Sequence, residues 1–335
     1  TTIINDDPNP SISIEDTTID EDTGSMVFTI RRDGLTELES TAVATPTSGS
    51  ATSGSDFTAA PAGVSIPPGG DSKTTTYTVA VVTDAIYEAD EALTVTLGPV
   101  GGGVVPGDIS AIGTITNDDS PPTLTIGDVT VSESAAIATF TVTRTGETAF
   151  STEVDVSTSS GTAAGDDDYL DIDNTVSIPP GGTTGMASVD VEIVSDGRVE
   201  SLETFEITLS NPTNATISDG DAVGSIIDDD TAGIVITGGD DLFVLEGGDA
   251  DTFSIVLTSD PTHTVTINVA NTQGQIAISP TQLTFSSANW DKPQTVSVTG
   301  KEDDIDEDDP HTDRIELSSS STDPLYDGYP PVSYT

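Results

Sequence analysis

Carboxylates at repeated spacing are where this sequence offers chemistry. Asp84, Glu88 and Glu91 form the pattern Asp-x-x-x-Glu-x-x-Glu, and Asp196, Glu200 and Glu203 form it again. Ahead of each stand a glutamate, Glu21 or Glu133, and an aspartate in a Gly-rich turn, Asp56 or Asp168. Behind each comes a short acidic run, Asn117-Asp118-Asp119 and Asp228-Asp229-Asp230. Glu91 shares its alternation with Leu93, Val95 and Leu97, and Glu203 with Phe205, Ile207 and Leu209, so both glutamates begin strands on the inward-facing side. A carboxylate at the mouth of a core needs a compensating partner. Lys and Arg number 8 against 58 Asp and Glu, too few to serve generally. Ca2+ meets the need, because it takes roughly 6 to 8 oxygen ligands in a flexible geometry, whereas Mg2+ wants a tight octahedron with several waters. Any single acid is ordinarily a solvated surface group or a turn former. Recurrence of the whole set at matched places is what points to calcium.

The remaining composition narrows the field. A formal net charge of -50 repels nucleic acid and anionic membranes, which both need Lys and Arg at their surface. No apolar run approaches the roughly 18 residues of a membrane span, so direct membrane insertion is not expected. Zero cysteines exclude disulfides and thiolate metal sites. Hydrophobic content of 34% with Val, Ile and Thr spread evenly supports a folded chain, and 335 residues allow two or three domains. Thr1 opens the chain without a Met or a signal peptide, which reads as a piece of something longer or a processed product. Catalysis is not expected. His263 and His311 lie outside the acidic sets, no nucleophile elbow, His-Glu-x-x-His or phosphate loop occurs, and 4% aromatics cannot line a sugar cleft.

These acids sit in a repeat. Val64-Ser-Ile-Pro-Pro-Gly-Gly70 recurs as Val176-Ser-Ile-Pro-Pro-Gly-Gly182, an offset of 176 − 64 = 112 that also relates Phe28 to Phe140, Arg32 to Arg144 and Leu97 to Leu209. Gly113-Thr-Ile-Thr-Asn-Asp-Asp119 returns as Gly224-Ser-Ile-Ile-Asp-Asp-Asp230 and is foreshadowed by Thr1-Thr-Ile-Ile-Asn-Asp-Asp7. Period-2 alternation, as in Phe205-Glu-Ile207-Thr-Leu209, predicts short antiparallel strands separated by Pro-Pro-Gly-Gly and Ser-Asp-Gly turns. No stretch carries a convincing helical period. The pattern predicts an all-β chain, a tandem array of three immunoglobulin-like antiparallel β-sandwiches whose loops gather the acids at one pole. The third is a cousin: Val244-Leu-Glu-Gly-Gly248 echoes the earlier starts, whereas Leu283-Thr-Phe-Ser-Ser-Ala-Asn-Trp290 replaces the Pro-Pro-Gly-Gly region. Trp290 reads as core.

The order of Glu, then Gly161-Thr-Ala-Ala-Gly-Asp-Asp-Asp-Tyr169, then Pro-Gly-Gly, then Asp-x-x-x-Glu-x-x-Glu, then Asp228-Asp-Asp230 resembles the Calx-β domain family over residues 8–230. That family is the calcium-binding sandwich of sodium–calcium exchangers, integrin β4 and many large bacterial surface proteins. The resemblance implies calcium ligands at Glu21, Asp56, Asp84, Glu88, Glu91, Asp118 and Asp119 in the first copy. It implies Glu133, Asp168, Asp196, Glu200, Glu203, Asp228, Asp229 and Asp230 in the second. Two departures lower the charge: Thr83 and Ser195 precede Asp84 and Asp196 where exchanger domains carry paired aspartates, and the first copy closes on Asn117 where the second has an aspartate. In the third unit the candidates are Glu246, Asp303 and Asp304.

The domain expectation is therefore residues 1–7 as the closing strand of a preceding repeat, 8–119 and 120–230 as full repeats, and 231–335 as a divergent, incomplete one. The expected function is that of a calcium-binding structural segment in a bacterial, secreted, extracellular or cell-surface adhesin or fibre, stiffened by Ca2+ at the domain poles through neighbouring repeats of the same chain. The competing class is a calcium-sensing or ligand-binding regulatory module. The two ends are expected where a longer array is cut out of register; the alternative is that residues 1–7 complement an open edge of the third unit in another copy, giving a head-to-tail homopolymer by strand donation.

Overall fold

The computed structural model describes residues 1–2, 4–238, 242–302, 312–329 and 333–334, and within them strands dominate. The first unit holds β1 (Ser11–Ile14), β2 (Thr17–Asp20), β3 (Ser25–Asp33), β4 (Ser40–Ser48), β5 (Phe57–Thr58), β6 (Ala62–Ile66), β7 (Ser72–Val81), β8 (Ile86–Tyr87), β9 (Glu91–Leu97), β10 (Val105–Pro106) and β11 (Ser110–Thr116). The sheets run β10-β1-β3-β7-β5 and β2-β11-β9-β4-β6. Alternation explains the layering: Met26, Phe28 and Ile30 of β3 point inward against Leu93, Val95 and Leu97 of β9, and residues between them face out or stand half-buried.

The second unit repeats the plan with β12 (Thr123–Ile126), β13 (Val129–Ser132), β14 (Ile137–Thr145), β15 (Glu147–Thr148), β16 (Thr152–Ser160), β17 (Asp173–Ile178), β18 (Thr184–Glu192), β19 (Glu203–Thr213), β20 (Thr216–Asp219) and β21 (Asp221–Ile227). Its sheets run β18-β14-β12-β20 and β13-β21-β19-β16-β17 around a core centred on Phe140, Tyr169 and Phe205. In both units the chain enters one sheet and then crosses to the other, where it runs parallel to the closing strand: β2 beside β11 and β13 beside β21. Each closing strand begins its recurrent motif with a glycine for a steric reason. A Cβ on Gly113 would lie 2.6 Å from Cζ of Phe28, and one on Gly224 would lie 2.2 Å from Cζ of Phe205.

The third unit contains β22 (Ile234–Thr237), β23 (Asp251–Leu257), β24 (Val265–Asn271), β25 (Ile276–Ser279), β26 (Gln282–Phe285), β27 (Gln294–Gly300), β28 (Ile315–Ser320) and β29 (Ser333–Tyr334). Its sheets, β22-β23-β27-β25 and β26-β24-β28-β29, enclose a core of their own around Phe253, Ile267, Phe285 and Val296. Leu242–Leu245, which matches β13 in sequence, forms no strand here. At the edge of β28, Ser333–Tyr334 pairs antiparallel with Ile315–Glu316, the flank that β11 takes on β9. The sequence reading left that edge open, so the structure differs there. Residues 1–2 and 4–7 are exposed and form no strand. No helix among the described residues is long and apolar enough to cross a membrane.

Successive units touch through the acidic loops. Ile86–Tyr87 pairs parallel with Glu147–Thr148 of the second unit, and Gly197 and Arg198 meet Asp260 and Trp290 of the third.

Candidate metal centre

Parallel pairing is what assembles each pole. Because β2 and β11 run side by side and end together at Thr116 opposite Asp20, the residues that follow them, Glu21 and Asp118-Asp119, emerge at the same place. Glu21 opens a 3-10 turn, Glu21–Thr23, and Glu133 opens its counterpart, Glu133–Ala135. Asp84 follows β7, Glu88 precedes β9, Glu91 begins β9, and Asp56 leads into β5. The outcome is two groups per pole. Ligand oxygens of Glu21, Asp84 and Asp119 lie within 4.8 Å of one another, as do those of Asp56, Glu88 and Glu91. The second unit reproduces both, with Glu133, Asp196 and Asp230 in one group and Asp168, Glu200 and Glu203 in the other. Glu133, Asp168, Glu200, Glu203 and Asp228 line one cleft floored by Val194 and Ile226, so the two groups adjoin.

Backbone N–H groups aim the carboxylates. Asp84 N donates to Oε1 of Glu21 at 2.8 Å and Asp196 N to Oε1 of Glu133 at 2.6 Å. Thr52 N reaches Oδ2 of Asp56 at 2.5 Å, and Ala164 N reaches Oδ2 of Asp168 at 2.7 Å. Ile86 N and Arg198 N bind Oδ1 of Asp84 and Asp196 at 2.8 Å and 2.6 Å. For each of these carboxylates the bond holds the group in place at the pole, an arrangement suited to an oxygen-seeking cation. Glu91 goes further: its Oε2 is buried with no hydrogen-bond partner. A buried, unpaired carboxylate oxygen is costly unless it is protonated or ligated.

Crowding shows in the acidities. Burial first, then a shared hydrogen bond and repulsion with Asp56, push Glu91 up to about 7. Burial and the same relation to Asp168 push Glu203 up to about 7. Glu21 and Glu133, both 5% exposed, are raised by burial against the lowering effect of the Asp84 and Asp196 N–H groups, with neighbouring aspartates adding to the rise. Glu88, Glu200, Asp119 and Asp230 are raised by burial and by the acids around them, while Arg198 partly relieves Glu200. Among the described residues, no ion pair reaches a carboxylate of these four groups. The arrangement gathers like charge that a divalent cation would neutralise.

Of the residues singled out from sequence, twelve fall into the four groups. Asp118 is exposed and acts on Glu21 and Asp119 by its charge, and Asp228 lines the cleft without joining a triad. Asp229 is exposed and joins no group. Glu246 is exposed too, bridging Gly300 through its backbone, and enters no acidic group among the described residues. Asp303 and Asp304 lie outside the described residues. Two residues outside the expected ligand set also contribute. Asn117 accepts from Glu88 N through Oδ1 and donates to the Asp119 carbonyl, and Asp90 accepts from Asn117 N, so both brace the first pole. Asn117 stands where Asp228 stands in the second copy, a substitution visible in the repeat alignment.

The family model described as Calx-beta domain matches residues 5–119 and again 117–240, together well over half of the chain. Among curated proteins, none matches. Among solved structures, the crystal structure of CBD12 from CALX1.2 is 19% identical, spans 65% of this chain and 100% of that one, and superposes with a TM-score of 0.31. The apo-form Calx CBD1 domain is 27% identical over 33% of this chain and 100% of its own, with a TM-score of 0.31. The crystal structure of calcium binding domain CBD12 of CALX1.1 is 17% identical, with 64% of this chain and 98% of that one covered and a TM-score of 0.32.

Proposed function

Since the chain belongs to the Calx-beta domain family, we propose that it binds Ca2+ at the two acidic poles and serves as a structural segment of a bacterial extracellular adhesin or fibre. The third unit, with its own two sheets and core, is on this reading a third sandwich of the same array, and the boundaries fall near residues 119 and 230. The observation that carries the calcium assignment is the pairing of two carboxylate triads at one pole, repeated in two units, with Glu91 Oε2 buried and unpartnered. An oxygen-only, anionic donor set is what Ca2+ selects. Mechanically, the same loops that present Asp84 with Glu88 and Asp196 with Glu200 carry the contacts to the following unit. Ion binding at a pole therefore fixes the loop on which the next unit rests, and the array stiffens.

That loop arrangement also favours the second reading, a sensing module whose calcium occupancy is passed to a neighbour. Affinity separates the two: extracellular modules bind at about 10⁻⁴–10⁻³ M and sensors at about 10⁻⁷–10⁻⁵ M. Isothermal titration of chelator-treated protein with CaCl₂ is the test. Saturable binding in the first range supports the structural role and in the second the sensor. Absence of binding at millimolar calcium overturns both.

A further inference from the structure

Both inter-unit contacts use the three residues between the aspartate and first glutamate of the acidic loop, and both make a main-chain hydrogen bond to the equivalent connection of the following unit. In the first junction the landing site is residues 146–151, between β14 and β16. Tyr87 O accepts from Ala149 N at 3.0 Å and from the Thr148 hydroxyl at 2.9 Å, and the Tyr87 ring meets Phe150 edge-on at 5.7 Å. In the second junction the landing site is residues 258–264, between β23 and β24. Gly197 O accepts from Asp260 N at 2.6 Å, Arg198 pairs with Asp260 at 3.5 Å, and the benzo edge of Trp290 packs on Gly197. The two triplets are Ala85-Ile86-Tyr87 and Gly197-Arg198-Val199, and the chemistry of each matches what it meets.

The receiving face of the third unit is held rigid by its own bonds. Ser259, 1% exposed, is tied to the Tyr326 hydroxyl through Oγ at 2.8 Å and through its carbonyl at 2.9 Å. Thr262 binds Oδ2 of Asp323 through N and Oγ1. The turn that bears Trp290 is closed by Asn289, which accepts from Ser286 N at 2.7 Å and donates to Thr284 O, and Leu257 N anchors the Trp290 carbonyl. Against this fixed face the fit at residue 197 is tight. A Cβ there would lie 2.5 Å from Cζ2 and 2.8 Å from Cη2 of Trp290. Gly197 has no left-handed φ that would itself require glycine, so the demand is one of space.

We propose that the triplet between the aspartate and glutamate of each acidic loop is a specificity element that selects which kind of unit can follow, with Gly197 the residue that admits the Trp290 wedge of the third unit. Tyr87 fills the corresponding role toward Phe150, so the triplets are not interchangeable. The selection rests on packing, hydrogen bonds and the Arg198–Asp260 ion pair, and holds whether or not calcium occupies the pole.

Trp290 is the single tryptophan of the chain, which makes the junction directly readable. Emission and acrylamide quenching of the full chain are recorded in EGTA and again in calcium for the parent, Gly197→Ala, Arg198→Glu and the control Ala85→Gly. Gly197→Ala overpacks the contact and raises the undocked fraction by about tenfold, seen as red-shifted, more quenchable emission. Arg198→Glu shifts emission in the same direction by repelling Asp260, and Ala85→Gly leaves it unchanged. Circular dichroism establishes that each variant is folded. As a second measurement, Gly197→Ala combined with Trp290→Leu restores the parent's maximum dimension in small-angle scattering while Gly197→Ala alone extends it. Unchanged emission in folded Gly197→Ala, or no recovery in the double variant, overturns the proposal. The EGTA arm keeps that outcome separate from calcium binding, which titration reads independently.

Discussion

Glu91 and Glu203 put two opposed demands on one oxygen pair. Each is pushed up to about 7 by burial, by a hydrogen bond to an aspartate and by surrounding charge. In calcium-free protein the native state therefore takes up a proton that the unfolded chain, near its ordinary value of 4.5, does not. Stability of the calcium-free fold must fall as pH rises through about 7, with the advantage fully present only below the unfolded value. Calcium bound at these poles, as proposed, would reverse the preference, because only the ionised carboxylate is a ligand. Binding at pH 7 thus releases protons, and affinity declines as pH drops below 7. Calorimetry in two buffers of different ionisation enthalpy measures the release directly; identical apparent enthalpies would refute it. Glu203→Gln removes the charge but keeps the shape, so it should raise melting in chelator and weaken calcium binding in the second unit by about tenfold or more, while the first unit keeps its affinity. The acids themselves were legible from their spacing. Their division into two triads was not, because which carboxylate meets which depends on the parallel pairing of β2 with β11, a contact between segments nearly a whole unit apart.

Arg32 and Arg144 show how the Pro-Pro-Gly-Gly turns are held. Each is fully buried, although the composition gives every reason for a cation to seek the acidic surface. Arg144 donates to the carbonyls of Pro179, at 2.9 Å, and of Gly181 and Gly182, and Arg32 does the same at Pro67, Gly69 and Gly70. A guanidinium collects several carbonyls in one plane, which lysine cannot do. Arg144→Met keeps much of the apolar stem but leaves those carbonyls without a donor, and the second unit should lose about 2–4 kcal/mol in urea unfolding. Loss below about 0.5 kcal/mol would mean that solvent replaces the guanidinium freely. Strand alternation, turn positions and the repeat offset were all readable from the sequence, including the matched positions of Arg32 and Arg144. Their bonds to the turns were not, since nothing local links residues 35 apart. In the third unit the same reasoning stopped sooner. Trp290 was read as core, and it does pack against Leu257 and its neighbours, but its outer edge serves Gly197 of the preceding unit.

At the scale of the whole molecule, a net charge of -50 raises the question of whether calcium acts by ligation or by screening. The two make different demands. Screening is set by ionic strength and reaches all exposed acids alike, with a Debye length of about 8 Å at 0.15 M. Ligation acts only at the poles and depends on the ion. For a site binding at about 10⁻⁴–10⁻³ M, 10 mM calcium contributes roughly 1.4–2.7 kcal/mol through the mass-action relation, or on the order of 5–15 °C of melting temperature for a domain of this size. The first two units, which carry the triads, should show this rise. The scattering profile should also narrow toward a single shape as the loops at residues 84–88 and 196–200 lose freedom at the docked junctions. Magnesium should give a smaller shift, since it resists giving up its waters. Sodium chloride at matched ionic strength is the decisive comparison. It supplies the same screening and no ligand-seeking cation, so it should leave melting and shape close to those in chelator. An equal rise in sodium chloride would place the stabilisation in the diffuse surface charge and remove the poles from the account.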